Sequence, residues 1–198
     1  NGGSSGGGTG ATAAKVVEVG ASATSLRSAD TDGITISAMV KDAANNAVTG
    51  QAVSFVASSG VLRSVASVTG ADGRATALLT AGNDRSNRII TVTVKAGSVE
   101  GNVVVPVDGT MLSVAGSSSL LLGASTTYAV TLKDSGGNAI AALPITVKSA
   151  LGNTVTPAQS TTDNAGATSF TYVASRSGDD VITVTGAGVV QTLAVNVS

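Results

Sequence analysis

The chain contains no cysteine, no histidine and no tryptophan. Without Cys or His there is no thiolate nucleophile, no Ser-His-Asp triad and no imidazole or thiolate metal site. The missing Cys also excludes the inter-sheet disulfide of antibody-type domains, and the missing Trp removes the residue that packs against it. Charged residues are scarce, at 12% against roughly 25% in an average soluble protein. With a formal net charge of −1 there is no basic footprint for nucleic acid. No run of 18 or more apolar residues occurs, so nothing reads as a membrane-spanning helix, and the first residues carry no signal-peptide pattern. The only aromatics are Phe55, Tyr128, Phe170 and Tyr172. All four fall in phase with buried positions, so no exposed ring is left to stack a sugar.

The chemistry that remains is thin. A Ser-Lys dyad would have to use Lys15, Lys41, Lys95, Lys133 or Lys148, which read as solvated charges at strand ends. A glycosidase needs two carboxylates flanking a cleft, whereas the acids here sit mostly in turns. The chain is therefore expected to have no catalytic residues and not to be an enzyme. Calcium is the one cofactor with ligands of the right hardness, at Asp30, Asp32, Asp108, Asp179 and Asp180. None of these lies in a twelve-residue EF-hand loop, and surface turns account for them, so no cofactor is expected.

What the sequence does have is a repeat. Val40-Lys41-Asp42-Ala43-Ala44-Asn45-Asn46-Ala47-Val48 returns as Leu132-Lys133-Asp134-Ser135-Gly136-Gly137-Asn138-Ala139-Ile140. Around each copy, apolar residues alternate with period 2, the pattern of half-buried strands. In the first block the inward series are Ile34, Ile36, Ala38 and Val40; Val53, Phe55 and Ala57; Ala75, Ala77 and Leu79; Ile90, Val92 and Val94; and Val99, Val103, Val105 and Val107. A weaker strand is expected over Val61–Val68, and Pro106 implies that the last strand is an edge or ends there. The second block repeats this, with Leu120–Leu122 continuing its first strand, then Tyr128, Val130 and Leu132, Ile145 and Val147, Phe170 and Tyr172, Ile182 and Val184, and Leu193, Val195 and Val197. No helical period of useful length interrupts either block. The expected architecture is all-β: two tandem seven-stranded sandwiches, 14–107 and 108–198, behind a Gly/Ser-rich flexible segment, 1–13. The link Asp108-Gly109-Thr110 is short, so an end-to-end body on the order of 60–80 Å long is expected.

Asp42 and Asp134 enter their loops where a carboxylate can accept from backbone N–H groups a few residues on, with Asn46 and Asn138 as neighbours suited to turns. Each block then carries Thr, three residues and Gly before another strand: Thr69–Gly73 and Thr162–Gly166. These residues, with Val53–Phe55, Ile90–Val94, Ile145–Val147 and Ile182–Val184, resemble the bacterial Ig-like domain group 1, the repeat of invasin- and intimin-type surface proteins. The resemblance covers Ala14–Ser198, twice. It implies Ig-like connections, a bacterial cell-surface (outer-membrane) or extracellular setting, tethering through the N-terminus rather than a membrane span, and a non-enzymatic stalk, spacer or adhesion role. A protein or cell-surface partner fits that setting; nucleic acid does not. Two alternatives accompany it. The loops Asp42–Gly50 and Ala81–Asn87 would carry direct ligand binding, and an open strand edge at Val189–Val197 would make a fibre subunit.

Overall fold

The computed structural model describes residues 13–198. Apart from Ala13, the segment read as a flexible tether lies outside the described residues. Every regular element among the described residues is a β-strand, and none is a helix long and apolar enough to cross a membrane.

The first sandwich contains β1 (Val16–Ala21), β2 (Leu26–Arg27), β3 (Ile34–Lys41), β4 (Ser54–Ala57), β5 (Val61–Arg63), β6 (Arg74–Thr80), β7 (Arg88–Ala96) and β8 (Val99–Asp108). Its sheets run in the orders β1-β3-β6-β5 and β2-β8-β7-β4. The second contains β9 (Met111–Ala115), β10 (Ser119–Leu120), β11 (Ser125–Lys133), β12 (Pro144–Ser149), β13 (Thr154–Thr156), β14 (Gln159–Thr161), β15 (Ala167–Val173), β16 (Gly178–Gly186) and β17 (Val189–Val197). Its sheets run β13-β15-β11-β9 and β10-β17-β16-β12-β14.

The seven-strand reading holds once two strands per sandwich are allowed to change sheets. The opening strand breaks after a few small residues: β1 pairs antiparallel with β3, but β2 pairs parallel with β8. β9 and β10 do the same against β11 and β17. The fourth strand also switches. β13 pairs with β15, and β14, beyond a cis Thr156–Pro157 bond, pairs with β12. The expected strand Val61–Val68 is the same event in the first sandwich. Its ladder stops at Arg63, Ser64 takes a positive φ of 49°, and the chain crosses so that Val68 bridges Ala52.

Period 2 placed the cores. Ile36, Ala38, Val40, Leu79, Ile90, Val92 and Val94 are fully buried in the first. In the second, Tyr128 stacks on Phe170 with centroids 5.2 Å apart and meets Tyr172 edge-on at 6.1 Å. Val99, Val103 and Leu193 are only half-buried, because the last strand of each sandwich begins beyond the edge of the packed core. β8 runs two residues past Pro106, and its neighbour β2 pairs only with Val107 and Asp108. The strand therefore does not end at the proline, and with β2 covering only its last two residues Pro106 sits on the edge side that a missing N–H tolerates. β16 pairs along the whole of β17, but on its other side β10 holds only Asn196 and Val197, so the expected open edge is covered at its last two residues and is joined by no strand ladder from 189 to 195 among the described residues. Leu121 and Leu122 lie beyond β10 and are 70% and 56% exposed, contrary to the expected continuation of the strand.

By contact density the chain forms two compact units. One gathers the described residues up to Thr24 with Asp32–Thr80 and Ile90–Val105, and the other gathers Ser25–Thr31, Ala81–Ile89 and Pro106–Ser198.

Candidate functional site

The duplicated loops are built on their carboxylates. Asp42 Oδ1 accepts from Ala44 N at 2.9 Å and Asn46 N at 2.8 Å, while Asn46 Nδ2 reaches Oδ2 at 3.3 Å. Asp134 Oδ1 accepts from Gly136 N and Asn138 N, both at 2.9 Å. The Asn46 amide and its companions hold the Asp42 carboxyl below its usual range. Burial pushes Asp134 upward, but the donors of Asn138 and Gly136 and the charge of Arg85 outweigh it, and the net shift is down. The Thr-to-Gly motif braces the same loops. The buried Thr69 hydroxyl donates to Val48 O and accepts from Gln51 N, and Thr162 does the same between Ile140 O and Leu143 N. Gly166, at φ +69°, brings its backbone so near Leu132 O that an added Cβ would lie 2.5 Å from it. The buried polar groups of these motifs, Asp42, Asp134, Thr69 and Thr162, are taken up by the backbone and asparagines of their own loops.

Two polar clusters escaped the sequence reading. The first lies within the second compact unit. Ser28, fully buried, accepts at Oγ from Ser135 N at 2.9 Å and from the Thr110 hydroxyl at 2.8 Å. Ala29 N returns a bond to Ser135 Oγ at 2.8 Å. Asn87 reads Thr110 reciprocally, accepting its N–H at 3.0 Å and donating to its carbonyl at 3.1 Å. Arg85 donates to Ser28 O at 2.9 Å, and Arg27 pairs with Asp108 at 2.8 Å. Asn87 N donates to Ala187 O, beside Gly188, where any Cβ would fall 1.9 Å from Asn87 O. Reciprocal bonds of this kind fix a register far better than single ones, because neither partner can slide without losing two.

The second cluster surrounds Asp180, which is completely buried. Its carboxylate accepts from Ser149 Oγ at 2.6 Å, Leu151 N at 2.9 Å, Asn153 Nδ2 at 3.0 Å and Tyr172 OH at 2.8 Å. Burial works to raise its pKa, yet these donors prevail and hold it down to about 2. The same burial and the bond to Asp180 push the Tyr172 phenol upward. Asn153 Oδ1 in turn accepts from Ser175 N and Arg176 N, so one carboxylate organises two loops. The signal for this burial was in the sequence: Asp180 is in phase with Ile182 and Val184. One repeat earlier stands Arg88, in phase with Ile90, and its guanidinium donates to Ala81 O and Asp84 O at 2.8 Å each and to Ser86 O at 3.0 Å. An anion gathering donors and a cation gathering carbonyls do the same work at matching places.

The five calcium candidates are not brought together. Asp108 faces Arg27, Asp179 accepts from Asn196 Nδ2 at 2.7 Å, Asp180 is enclosed by donors, and the backbone N–H of Asp30 donates to Arg27 O, with Asp32 in the same loop. No three Asp or Glu carboxylates converge among the described residues. Of the proposed ligand loops, 81–87 is engaged by Arg88 and Thr110, while 42–50 is held by Asp42. The five lysines named as dyad candidates lie at strand positions or just before β1, and two of them meet acids, Lys41 with Glu18 and Lys95 with Glu100.

Comparison with known proteins fits this picture. Residues 16–107 match the model of the bacterial Ig-like domain (group 1). The adhesin InvE of Yersinia pseudotuberculosis superposes with a TM-score of 0.60 at 17% identity, over 96% of this chain and 62% of that one. The D0-D1 domain of intimin gives 0.43 at 20% identity over 91% and 100%, and invasin, a bacterial integrin-binding protein, 0.46 at 18% identity over 93% and 39%. The chain thus spans about three fifths of the length of the InvE structure it matches. No curated protein matches it in sequence.

Proposed function

We propose that this chain, whose residues 16–107 match the bacterial Ig-like domain of group 1 and whose fold repeats after them, is a non-enzymatic, load-bearing spacer of a bacterial surface adhesin. Its domains would be 14–107 and 108–198. The observation that carries the reading is how the terminal strands are held. In each sandwich the second piece of the opening strand runs parallel to the closing strand: Leu26 opposite Val107 and Arg27 opposite Asp108, then Ser119 opposite Asn196 and Leu120 opposite Val197. Backbone bonds extend both pairs, Ser28 N to Asp108 O at 2.8 Å and Leu122 N to Ser198 O at 2.8 Å. When a chain is pulled from its two ends, parallel terminal strands load all their cross-bonds at once in shear, whereas an antiparallel hairpin opens one bond at a time. A spacer between a cell and its target needs that property; an enzyme or a soluble binding module does not. The duplicated loops support the same reading, because their buried carboxylates are spent on loop backbone.

The rival reading, ligand binding by Asp42–Gly50, is separated by a binding test. Labelled chain added to intact cells and to a glycan array is expected to give no saturable signal. Saturable binding lost on replacing 43–47 with Gly and Ser would overturn the spacer reading in favour of a binding module.

A further inference from the structure

Sequence order and contact density divide the chain differently. Ser25–Thr31 and Ala81–Ile89 lie inside the first repeat of the sequence, yet both gather into one compact unit with Pro106–Ser198. Two of their residues, Ser28 and Asn87, supply the bonds that place them there. The Ser28 hydroxyl oxygen accepts from Ser135 N and from the Thr110 hydroxyl. Asn87 accepts the Thr110 N–H, donates to the Thr110 carbonyl through its side chain and donates to Ala187 O through its backbone.

The fit around these bonds is close. Ser28 is fully buried and Thr110 is 4% exposed. Gly109, at φ +91°, passes so near its surroundings that a Cβ there would lie 2.6 Å from Ser135 Cβ and 2.8 Å from the Arg27 guanidinium. Arg85 donates to Ser28 O, and its charge is one of the influences that hold the Asp134 carboxyl down. A buried donor or acceptor that loses its partner here has no water to replace it, so the whole network opens or stays closed together. Residues 110, 135 and 187 therefore depend for their hydrogen bonds on side chains that the sequence assigns to the preceding repeat.

We infer that Ser25–Thr31 and Ala81–Ile89 are a cap of the second repeat, a conformational device by which residues of the first repeat set the stability of the one that follows. The unit that unfolds cooperatively is then larger than residues 108–198, and its boundary runs through the first repeat of the sequence. The inference goes beyond the spacer reading and stands whether or not the chain carries load. It concerns the equilibrium stability of the second repeat, not the parallel pairing of Ser119 and Leu120 with the last strand.

Urea unfolding of the 198-residue chain, followed by the near-ultraviolet circular dichroism of tyrosine, tests it. The chain has no tryptophan, and both tyrosines, Tyr128 and Tyr172, belong to the second core, so this signal reports the second repeat. Asn87→Ala is expected to lower the folding equilibrium constant of that repeat at least about tenfold, read as a lower tyrosine midpoint. Ser28→Ala, which removes the acceptor of Ser135 N and the Thr110 hydroxyl, is expected to act in the same direction. Thr69→Ala is the control: it strips a buried hydroxyl of the other unit from Val48 O and Gln51 N and is expected to leave the tyrosine midpoint in place. Far-ultraviolet circular dichroism without urea verifies that all three variants fold. A tyrosine midpoint unmoved by either Asn87→Ala or Ser28→Ala, or lowered equally by Thr69→Ala, would overturn the inference.

Discussion

Replacing Asp180 by Ala is expected to destabilise the second sandwich by about 3 kcal/mol, read as a lowered urea midpoint. The change strips the acceptor from Ser149 Oγ, Leu151 N, Asn153 Nδ2 and Tyr172 OH at one stroke. Each buried donor left unpaired costs about 1–3 kcal/mol, partly offset because a buried charge is removed as well. Tyr172→Phe removes one donor rather than the acceptor of four, and is expected to cost only about 1 kcal/mol. Protonation tests the same carboxylate. Its folded pKa of about 2 lies below the ordinary aspartate value of 3.8, so the charged form contributes stability that is fully present above about pH 4. That contribution is lost as the pH falls through about 2, and a shift of this size corresponds to roughly 2 kcal/mol. Asp180→Asn is therefore expected to flatten the acid limb of stability between pH 4 and 2 relative to wild type, with no change in slope near neutrality. An acid limb identical in both proteins would show that Asp180 titrates normally.

Phe170→Ala is expected to have a larger effect still, about 3–5 kcal/mol, because the ring is 1% exposed and stacks on Tyr128. The loss is not confined to volume. Tyr128 is held on one side by Phe170 and donates its hydroxyl to Ser117 O, which fixes the turn between β9 and β10. A cavity beside the ring frees both, so near-ultraviolet circular dichroism from the tyrosines is expected to fall along with stability. The first repeat shows where the corresponding change is smaller. Ala77 stands at the position of Phe170, and Ile36 and Leu79 stand where Tyr128 and Tyr172 do, all buried. That core is filled by aliphatic side chains, so truncating any one of them removes less surface than truncating Phe170. A midpoint for Phe170→Ala within about 1 kcal/mol of wild type would mean that the aromatic stack does not carry the second core.

Much of this was legible in the sequence, and the physical reason is that strand faces announce themselves. Ile36, Val40, Tyr128, Val130, Ile182 and Val184 were placed inward by period 2 alone and are buried to the last few per cent. The turns were legible too, because Asp42 and Asp134 accept from backbone N–H groups within a few residues of themselves. What could not be read were contacts between distant segments. Ser28, Asn87, Thr110 and Ser135 are ordinary loop residues in isolation, and only the folded chain brings 28 within a hydrogen bond of 135. Asp180 is the exception. Its inward phase was visible, but an acid next to another acid reads first as a surface turn, and the donors that reverse that expectation come from three separate elements. The sheet-switching of the opening and fourth strands was hidden for a related reason, since period 2 says which face a residue takes but not which sheet it joins.

Single-molecule force spectroscopy on the chain held by its two ends tests the spacer reading most directly, since forced unfolding reports the barrier that the terminal strands present. Two separate high-force unfolding events are predicted, one per sandwich. Ser28→Pro and Leu122→Pro, which delete the N–H donors to Asp108 O and Ser198 O, are each predicted to lower the force of one event and spare the other. Unfolding at low force with no distinct events, or forces indifferent to both prolines, would contradict a chain built to carry load.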